Sequence, residues 1–259
     1  MLSKVVGVLL FLPFARPYAA LIKWLLPGKD EFSAAPEFLN YSSLNKPDVA
    51  MEQVRKEIGR MAVISKKMIS YLYKGIKSND FLLFEEVLEC EDVLDQLHKA
   101  VAQFLLKGIS RENLTGTSRP QIHLLLSMTR DIERIGDHAE NIVELFQTKN
   151  DLNADFSKPA WEALDRTFKI VISMTEKLVI GIDSPDKTVR DQLELLEKEF
   201  KIIEEEEIHR HGLRFADGTC SVPGGVIFGD LFDNLYSVVR HIRDAGKAVR
   251  VFAETMKIP

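Results

Sequence analysis

Near its middle the chain reads RDIERIGDHAENI, residues 130–142. Two carboxylates of this stretch, Glu133 and Asp137, stand four residues apart, and Glu91 and Asp95 repeat that spacing earlier in the chain. On an α-helix a spacing of four places both side chains on one face, one turn apart. Like charges in that position repel each other unless a positive group lies between them, so a bound cation would remove the cost.

The apolar residues around both pairs recur with a helical period. The earlier pair and His98 fall on the apolar stripe of their helix, where a charge needs a partner or a metal. The later pair lies opposite the apolar stripe of its helix, facing solvent, a partner or another helix. Gly136 costs about 1 kcal/mol relative to alanine inside a helix, which indicates close approach of another backbone. Without a metal, Lys or Arg from a neighbouring helix would pair with the acids, or the face would be solvated.

The chain from residue 47 onward is predicted to be helical throughout, since no run alternates strictly enough for a strand. Six helices are expected, beginning near Pro47, Asp80, Pro120, Ser157, Ser184 and Gly225, and ending near Gly75, Leu106, Phe146, Gly181, Gly212 and Met256. Their order repeats after roughly 105 residues, which indicates a duplicated three-helix unit. The predicted fold class is all-α, with tandem three-helix bundles over residues 47–150 and 151–259.

Composition excludes several classes of protein. A net charge of −5 argues against a general nucleic-acid binder. Two cysteines, Cys90 and Cys220, provide neither a disulfide framework nor a thiolate zinc site. Carboxylates with only histidine nearby suit hard cations such as iron, manganese, magnesium or calcium.

Residues 1–27 are predicted to be a membrane-proximal segment. Two apolar runs, residues 5–14 and 18–26, are each too short to span a bilayer. A signal peptide, an interfacial amphipathic helix and the cytoplasmic end of a last transmembrane helix whose earlier part is missing all fit this segment. Residues 28–46 are predicted to be a linker, because glycine, proline, serine and asparagine break any period.

Residues 131–142 strongly resemble the signature of the PhoU family, which carries a Glu/Asp-x-x-x-Asp pair of motifs in each of two three-helix repeats. The match covers about residues 47–256. Residues 8–14, 49–57 and 218–221 further resemble bacterial sodium/phosphate cotransporters, in which a cytoplasmic PhoU-like domain follows the last membrane helix. The resemblance implies a non-enzymatic, phosphate-homeostasis module, the PhoU-like tail of a sodium-dependent phosphate transporter.

The resemblance also implies a metal cluster held by Glu91, Asp95, Glu133 and Asp137. The implied metal is iron, manganese or magnesium, bound in repeat one only.

Repeat two departs from the family pattern. Lys201 stands one turn after Glu197, where the family has Asp. Tyr236 and Arg240 take the places of the Glu and Asp of the later motif. We hypothesise that Lys201 and Arg240 both pair with Glu197, so that fixed cations replace the metal in this repeat.

The implied partner is the membrane domain of a phosphate transporter, with residues 1–27 at the membrane. The helical domain would then lie on the cytoplasmic side of a bacterial inner membrane. No nucleic-acid partner is expected, and a homo-oligomer stays open. One rival is a free-standing PhoU-type regulator of a phosphate ABC transporter and a sensor kinase, which would not need the apolar segment. The other is a di-metal carboxylate enzyme, for which residues 95–98 offer one approximate Glu-x-x-His unit where two are needed.

Overall fold

The computed structural model describes residues 32–110, 118–184, 188–216 and 221–255. Within these ranges the chain forms a short 3-10 helix, Tyr41–Asn45, six α-helices and no strand. The α-helices are Pro47–Ser78 (α1), Phe81–Ser110 (α2), Ser118–Asp151 (α3), Lys158–Asp183 (α4), Val189–Ala216 (α5) and Val222–Thr255 (α6). The predicted all-α fold is confirmed.

The membrane-proximal segment predicted over residues 1–27 lies outside the described residues. No helix in the described part of the chain is long and apolar enough to cross a bilayer.

Several glycines that were expected to end helices lie inside them. The first helix continues past Gly75 and ends at Asn79, whose left-handed φ of 52° lets its N–H bond to the Gly75 carbonyl. A Cβ on Gly75 would stand 2.9 Å from the ring of Phe84, so the glycine is needed where α2 packs over α1. Ser184, predicted to cap the fifth helix, is instead the C-cap of α4, donating its N–H to Ile180. A glycine that allows close packing of two helices was therefore predicted to be a helix end.

The six helices pack as two sets of three. In each set every helix contacts the other two: α1 with α2 and α3, and α4 with α5 and α6. The sets are joined by α3 against α6, the most extensive contact between helices, and by α1 against α4. Among the described helices, α2 and α5 each contact only α-helices of their own set. Residues from Ala34 onward form one compact unit, so the repeat boundary at residue 150 stays a prediction.

The segment before α1 is held to that helix by one buried carboxylate. Glu57 is fully buried, and its Oε2 accepts hydrogen bonds from the backbone N–H groups of Glu37 and Phe38, at 2.9 and 2.8 Å. Its Oε1 accepts a hydrogen bond from Arg60 at 2.6 Å. The 3-10 helix that follows packs against α1 and α2. Part of the predicted linker is thus fixed to the bundle.

We expect Glu57→Ala to lower the free energy of unfolding by about 2–3 kcal/mol, because two backbone N–H groups and a guanidinium lose their shared acceptor. Urea denaturation measures this difference. The control is Glu52→Ala on the same helix, which removes an ion pair to Arg55 from a side chain that is 48% exposed. It should cost less than about 1 kcal/mol. Equal losses in the two variants would contradict the role given to Glu57.

Candidate functional site

The four acids predicted to bind metal lie where α2 crosses α3. Glu91 and Asp95 project from the middle of α2, and Glu133 and Asp137 from the middle of α3. The side chains of Glu133, Asp137 and Asp95 are 17%, 30% and 34% exposed, so the face of α3 that the sequence left unassigned is turned toward another helix. The structure thus brings both motifs of repeat one into a single cluster, which we call the acidic cluster.

Gly136 lies under this cluster. A Cβ at this position would stand 3.4 Å from Leu94 Cδ1 and 3.7 Å from Glu91 Cγ, which is ordinary contact distance. The close approach expected at this glycine is therefore made by side chains of α2 and not by its backbone. Leu94 is fully buried beside Glu91, so that α2 presents an apolar anchor next to the acidic side chains.

Burial, together with nearby like charges, raises the pKa of both glutamates of the cluster. Burial, followed by the charges of Glu140 and Asp137, raises the pKa of Glu91 to about 7. Burial and then the charge of Asp137 also raise the pKa of Glu133. Because Glu140 is not one of the four predicted ligands, the negative field of the cluster extends further along α3 than the motif suggested.

Two buried polar atoms of the cluster lack a hydrogen-bond partner among the described residues. They are Glu133 Oε2, whose nearest cation is Arg134 Nε at 3.6 Å, and His98 Nδ1. The charge of His98 lowers the pKa of Glu133, which places the imidazole near that carboxylate. A buried acceptor and a buried imidazole without partners are costly unless something else binds them.

The two aspartates of the cluster are paired along their own helices. Lys99 Nζ lies 2.5 Å from Asp95 Oδ2, and Arg134 Nη1 lies 2.6 Å from Asp137 Oδ2. With the aspartates turned to these bases, no three His, Cys, Asp or Glu side chains in the described ranges are placed to coordinate one metal ion together. A cation would have to compete with Lys99 and Arg134 for the aspartates.

The equivalent position in repeat two is neutralised by two bases, of which Lys201 was predicted and Arg243 was not. Glu197, 7% exposed, accepts a hydrogen bond from Arg243 at 2.7 Å, and Lys201 lies 3.7 Å away. Arg240 is exposed, so its assignment to Glu197 was wrong. Arg243 lies one turn further along α6 and reaches inward. Lys201 also stands 5.4 Å from the centre of the Tyr236 ring.

A second polar cluster joins α3 to α6 and was not predicted from the sequence. Asp131 Oδ1 lies 3.1 Å from His241 Nδ1, and Asn234 Oδ1 lies 2.9 Å from His138 Nδ1. The two imidazole rings stack with their centres 5.7 Å apart. On each helix a short acid or amide precedes a histidine by seven residues, two turns along the same face. This shared spacing of seven residues is the sequence signal from which the cluster could have been predicted.

We expect the metal-free protein to lose stability as pH rises from about 5 to about 7. The folded state keeps a proton on Glu91, whereas the unfolded chain releases it near the ordinary pKa of about 4.3. The free energy of unfolding should therefore fall over this window, by on the order of 1 kcal/mol after solvent screening. Urea denaturation in EDTA measures the slope.

Glu91→Gln should flatten that slope, and Glu85→Gln, which alters an exposed side chain of the same helix, should leave it intact. The same slope in Glu91→Gln and in the unmodified protein would show that Glu91 is not the group that titrates.

Comparison with known proteins places this cluster in a recognised domain. Residues 58–146, which include all four acids, match the family model described as the PhoU domain. One curated relative is the phosphate-specific transport system accessory protein PhoU homolog of Clostridium acetobutylicum, 22% identical over 43% of this chain and 52% of its own length. Another is PhoU homolog 1 of Thermotoga maritima, 23% identical over 46% of this chain and 52% of its own length. The aligned part thus spans about half the length of these relatives.

Solved structures match over a longer range. The phosphate transport system regulatory protein PhoU from Streptococcus pneumoniae superposes with a TM-score of 0.70 at 14% identity, over 80% of this chain and 96% of its own. PhoU from Pseudomonas aeruginosa gives 0.71 at 15% identity, over 78% and 96%. The predicted resemblance to PhoU is therefore supported by the match of residues 58–146 to the PhoU domain, and the fold of the solved PhoU proteins is shared by most of the chain.

Proposed function

We propose that this chain is a non-enzymatic, PhoU-type regulator of phosphate homeostasis whose acidic cluster binds metal. The observation that supports this most directly is the meeting of Glu91 and Asp95 with Glu133 and Asp137 inside the segment that matches the PhoU domain. The curated relatives are named for phosphate-specific transport, and a phosphate transport system is the partner class that follows for this chain.

The residues of the acidic cluster fit a hard cation. Glu133 Oε2 and His98 Nδ1 are buried without hydrogen-bond partners among the described side chains, and carboxylate oxygens are the preferred ligands of such ions. Glu91 and the other three acids would hold iron, manganese or magnesium. When bound, the metal would supply the positive charge that the crowded carboxylates lack and would tie α2 to α3. Lys99 and Arg134 would then give up their aspartates.

Metal binding is expected in repeat one alone. In repeat two Arg243 and Lys201 already supply fixed charge at Glu197, and Arg240 stands where the family motif has an acid. A metal ion beside Glu197 would be repelled by the positive charges of Arg243 and Lys201.

The double variant Glu133→Gln/Asp137→Asn should therefore lose nearly all bound metal, as measured by elemental analysis of purified protein. The matched control is Glu85→Gln/Glu89→Gln, which neutralises an acid pair of the same spacing on the exposed face of α2. The control should keep the metal content of the unmodified protein. Full metal retention in the Glu133/Asp137 variant would exclude the cluster as the site.

Two arrangements of the regulator in the cell are compatible with the residues. A free-standing regulator is favoured by the solved PhoU chains, each of which this chain covers over 96% of its length. The tail of a sodium/phosphate cotransporter is suggested by the apolar runs at residues 5–14 and 18–26, which belong to the undescribed part. In either case the chain would act by restraining phosphate uptake.

Removal of the chain from its host should raise phosphate uptake in phosphate-replete medium, measured with radiolabelled phosphate. Complementation by the full chain should restore the restraint, and the Glu133/Asp137 variant should restore it poorly. Unchanged uptake after removal would argue against the regulatory role. Partition of the full chain and of a chain starting at Ala34, which keeps the segment bonded to Glu57, between membrane and buffer would separate the two arrangements.

A further inference from the structure

A large cavity lies at the end of the bundle away from the acidic cluster. Its volume is about 1070 Å³, and it is lined by the C-terminal turns of α1 and α3, the first turns of α4, and Arg210 of α5. Ligand pockets of proteins commonly measure about 300–1,000 Å³, so this cavity has room for an organic molecule. None of the four acids of the cluster lines it.

Aromatic side chains form one wall of the cavity. Trp161 packs against Phe146 with ring centres 6.1 Å apart, and Tyr73 stacks on Phe168 at 5.4 Å. Phe146 and Phe168 are buried, whereas Trp161 and Tyr73 keep part of their surface accessible. Two flat, partly exposed ring faces on a rigid backing are suited to a flat aromatic ligand, because stacking on such faces is favourable.

The cavity has a surplus of positive charge in a chain whose net charge is −5. Five basic and three acidic side chains line it. Of the acids, Asp155 is 95% exposed and Glu162 is also exposed. Hydrogen bonds from Lys169, Tyr73 and Lys77 hold the pKa of Asp165 well below its usual range, so that this carboxylate is already compensated. The remaining field of the cavity attracts anions.

Lys149 is the cation that a ligand would meet inside the cavity. Its side chain is only 10% exposed, and its nearest carboxylate is that of the exposed Asp155, 3.5 Å away. The ammonium also stands 5.8 Å from the centre of the Trp161 ring. A buried ammonium with so weak a counterion is costly to desolvate, and an anionic ligand would offset that cost.

The start of α4 adds further positive potential at the same wall. Lys158 and Pro159, its first two residues, line the cavity, and Lys158 makes no ion pair with any described residue. Ser157, the N-cap, makes no side-chain capping bond, and its buried Oγ has no hydrogen-bond partner in the described ranges. Pro159 has no N–H and the Trp161 N–H bonds to Ser157, so the N–H groups that this helix start can offer a phosphate are those of Lys158 and Ala160.

Two arginines add positive charge to the part of the cavity wall nearest α5. Arg210 and Arg166 both line the cavity and both reach the buried carboxylate of Glu207, at 2.8 and 3.7 Å. Arg214 lies 3.5 Å from the same carboxylate. Arg210 also lies 3.6 Å from the carboxylate of Glu206, so that two carboxylates face these three guanidinium groups.

We propose that this cavity binds a nucleotide, with its base against Trp161 and Tyr73 and its phosphates toward Lys149, Lys158 and the start of α4. A small inorganic anion would leave the aromatic wall and most of the volume unfilled, whereas an uncharged aromatic molecule would leave the buried ammonium uncompensated. The site does not depend on the proposed metal. Since α1 and α3 come from one repeat and α4 from the other, a bound nucleotide would contact both halves of the bundle.

The two tryptophans of the sequence, Trp24 and Trp161, make a direct test possible. In the full chain carrying Trp24→Phe, Trp161 is the only tryptophan and reports on the cavity. ADP, GDP and UDP are titrated in EDTA, so that the metal proposal is not tested at the same time. We expect saturable quenching of Trp161 fluorescence by at least the purine nucleotides, and no competition by inorganic phosphate at equal concentration. Calorimetry on the chain without Trp24→Phe checks the affinity.

Lys149→Met should weaken binding by at least tenfold. Lys198→Met, which removes an exposed lysine of α5 outside the cavity, should leave the affinity unchanged. If Lys149→Met lowers the thermal stability, Lys158→Met at the exposed start of α4 serves in its place, with at least a threefold loss expected.

Absence of saturable binding by all three nucleotides at millimolar concentration would overturn the proposal. Displacement by inorganic phosphate with equal affinity would overturn the assignment to a nucleotide. Equal affinities of the Lys149→Met, Lys158→Met and Lys198→Met variants would show that binding occurs elsewhere.

Discussion

Asp131 and His138 on α3 meet His241 and Asn234 on α6 in two crossed polar pairs, and this contact joins the two halves of the molecule. Apolar side chains such as Ile135 and Val238 are fully buried on the same helices and supply most of the stabilisation. Each polar pair adds only about 1 kcal/mol, but both pairs fit in a single register. A shift of one helix by a turn would leave four buried or half-buried polar groups mismatched. The pairs therefore define how the halves meet, and the position of the cavity between them follows from it.

The two repeats share a frame but differ in how their central carboxylates are balanced. In repeat two, Arg243 and Lys201 neutralise Glu197 at all times. In repeat one, Glu91 stands among like charges with its pKa raised. Lys99 and Arg134 bond to the aspartates, and Arg134 Nε stays 3.6 Å from Glu133. The central carboxylate of repeat two is therefore neutralised by bases, whereas the carboxylates of repeat one keep an excess of negative charge. The proposed cation binding is therefore expected in repeat one.

Much of this arrangement could be predicted from the sequence, because it rests on local patterns. Helical periodicity identified six helices, and the spacing of Glu91 with Asp95 placed each acid pair on one face. The errors came from contacts between distant elements. Gly75 was taken for a helix end, since only the structure shows Phe84 of the next helix packed over it. Arg240 is predicted to pair with Glu197 from its place in the motif, which does not show that Arg243, one turn later, faces Glu197.

The contacts of α2 and α5 limit how charges at the two repeats can influence each other. Each of these helices contacts α-helices of its own set only, so α2, which carries Glu91 and Asp95, touches the other half through α1 and α3 alone. Perturbations of charge at Glu91 and at Glu197 then share no direct neighbour, and their effects on unfolding free energy should sum without a coupling energy. By contrast, α3 carries the acidic cluster in its middle, the histidine contact on another face and the cavity wall at its end. The helix α3 is therefore the element that all three of these features share.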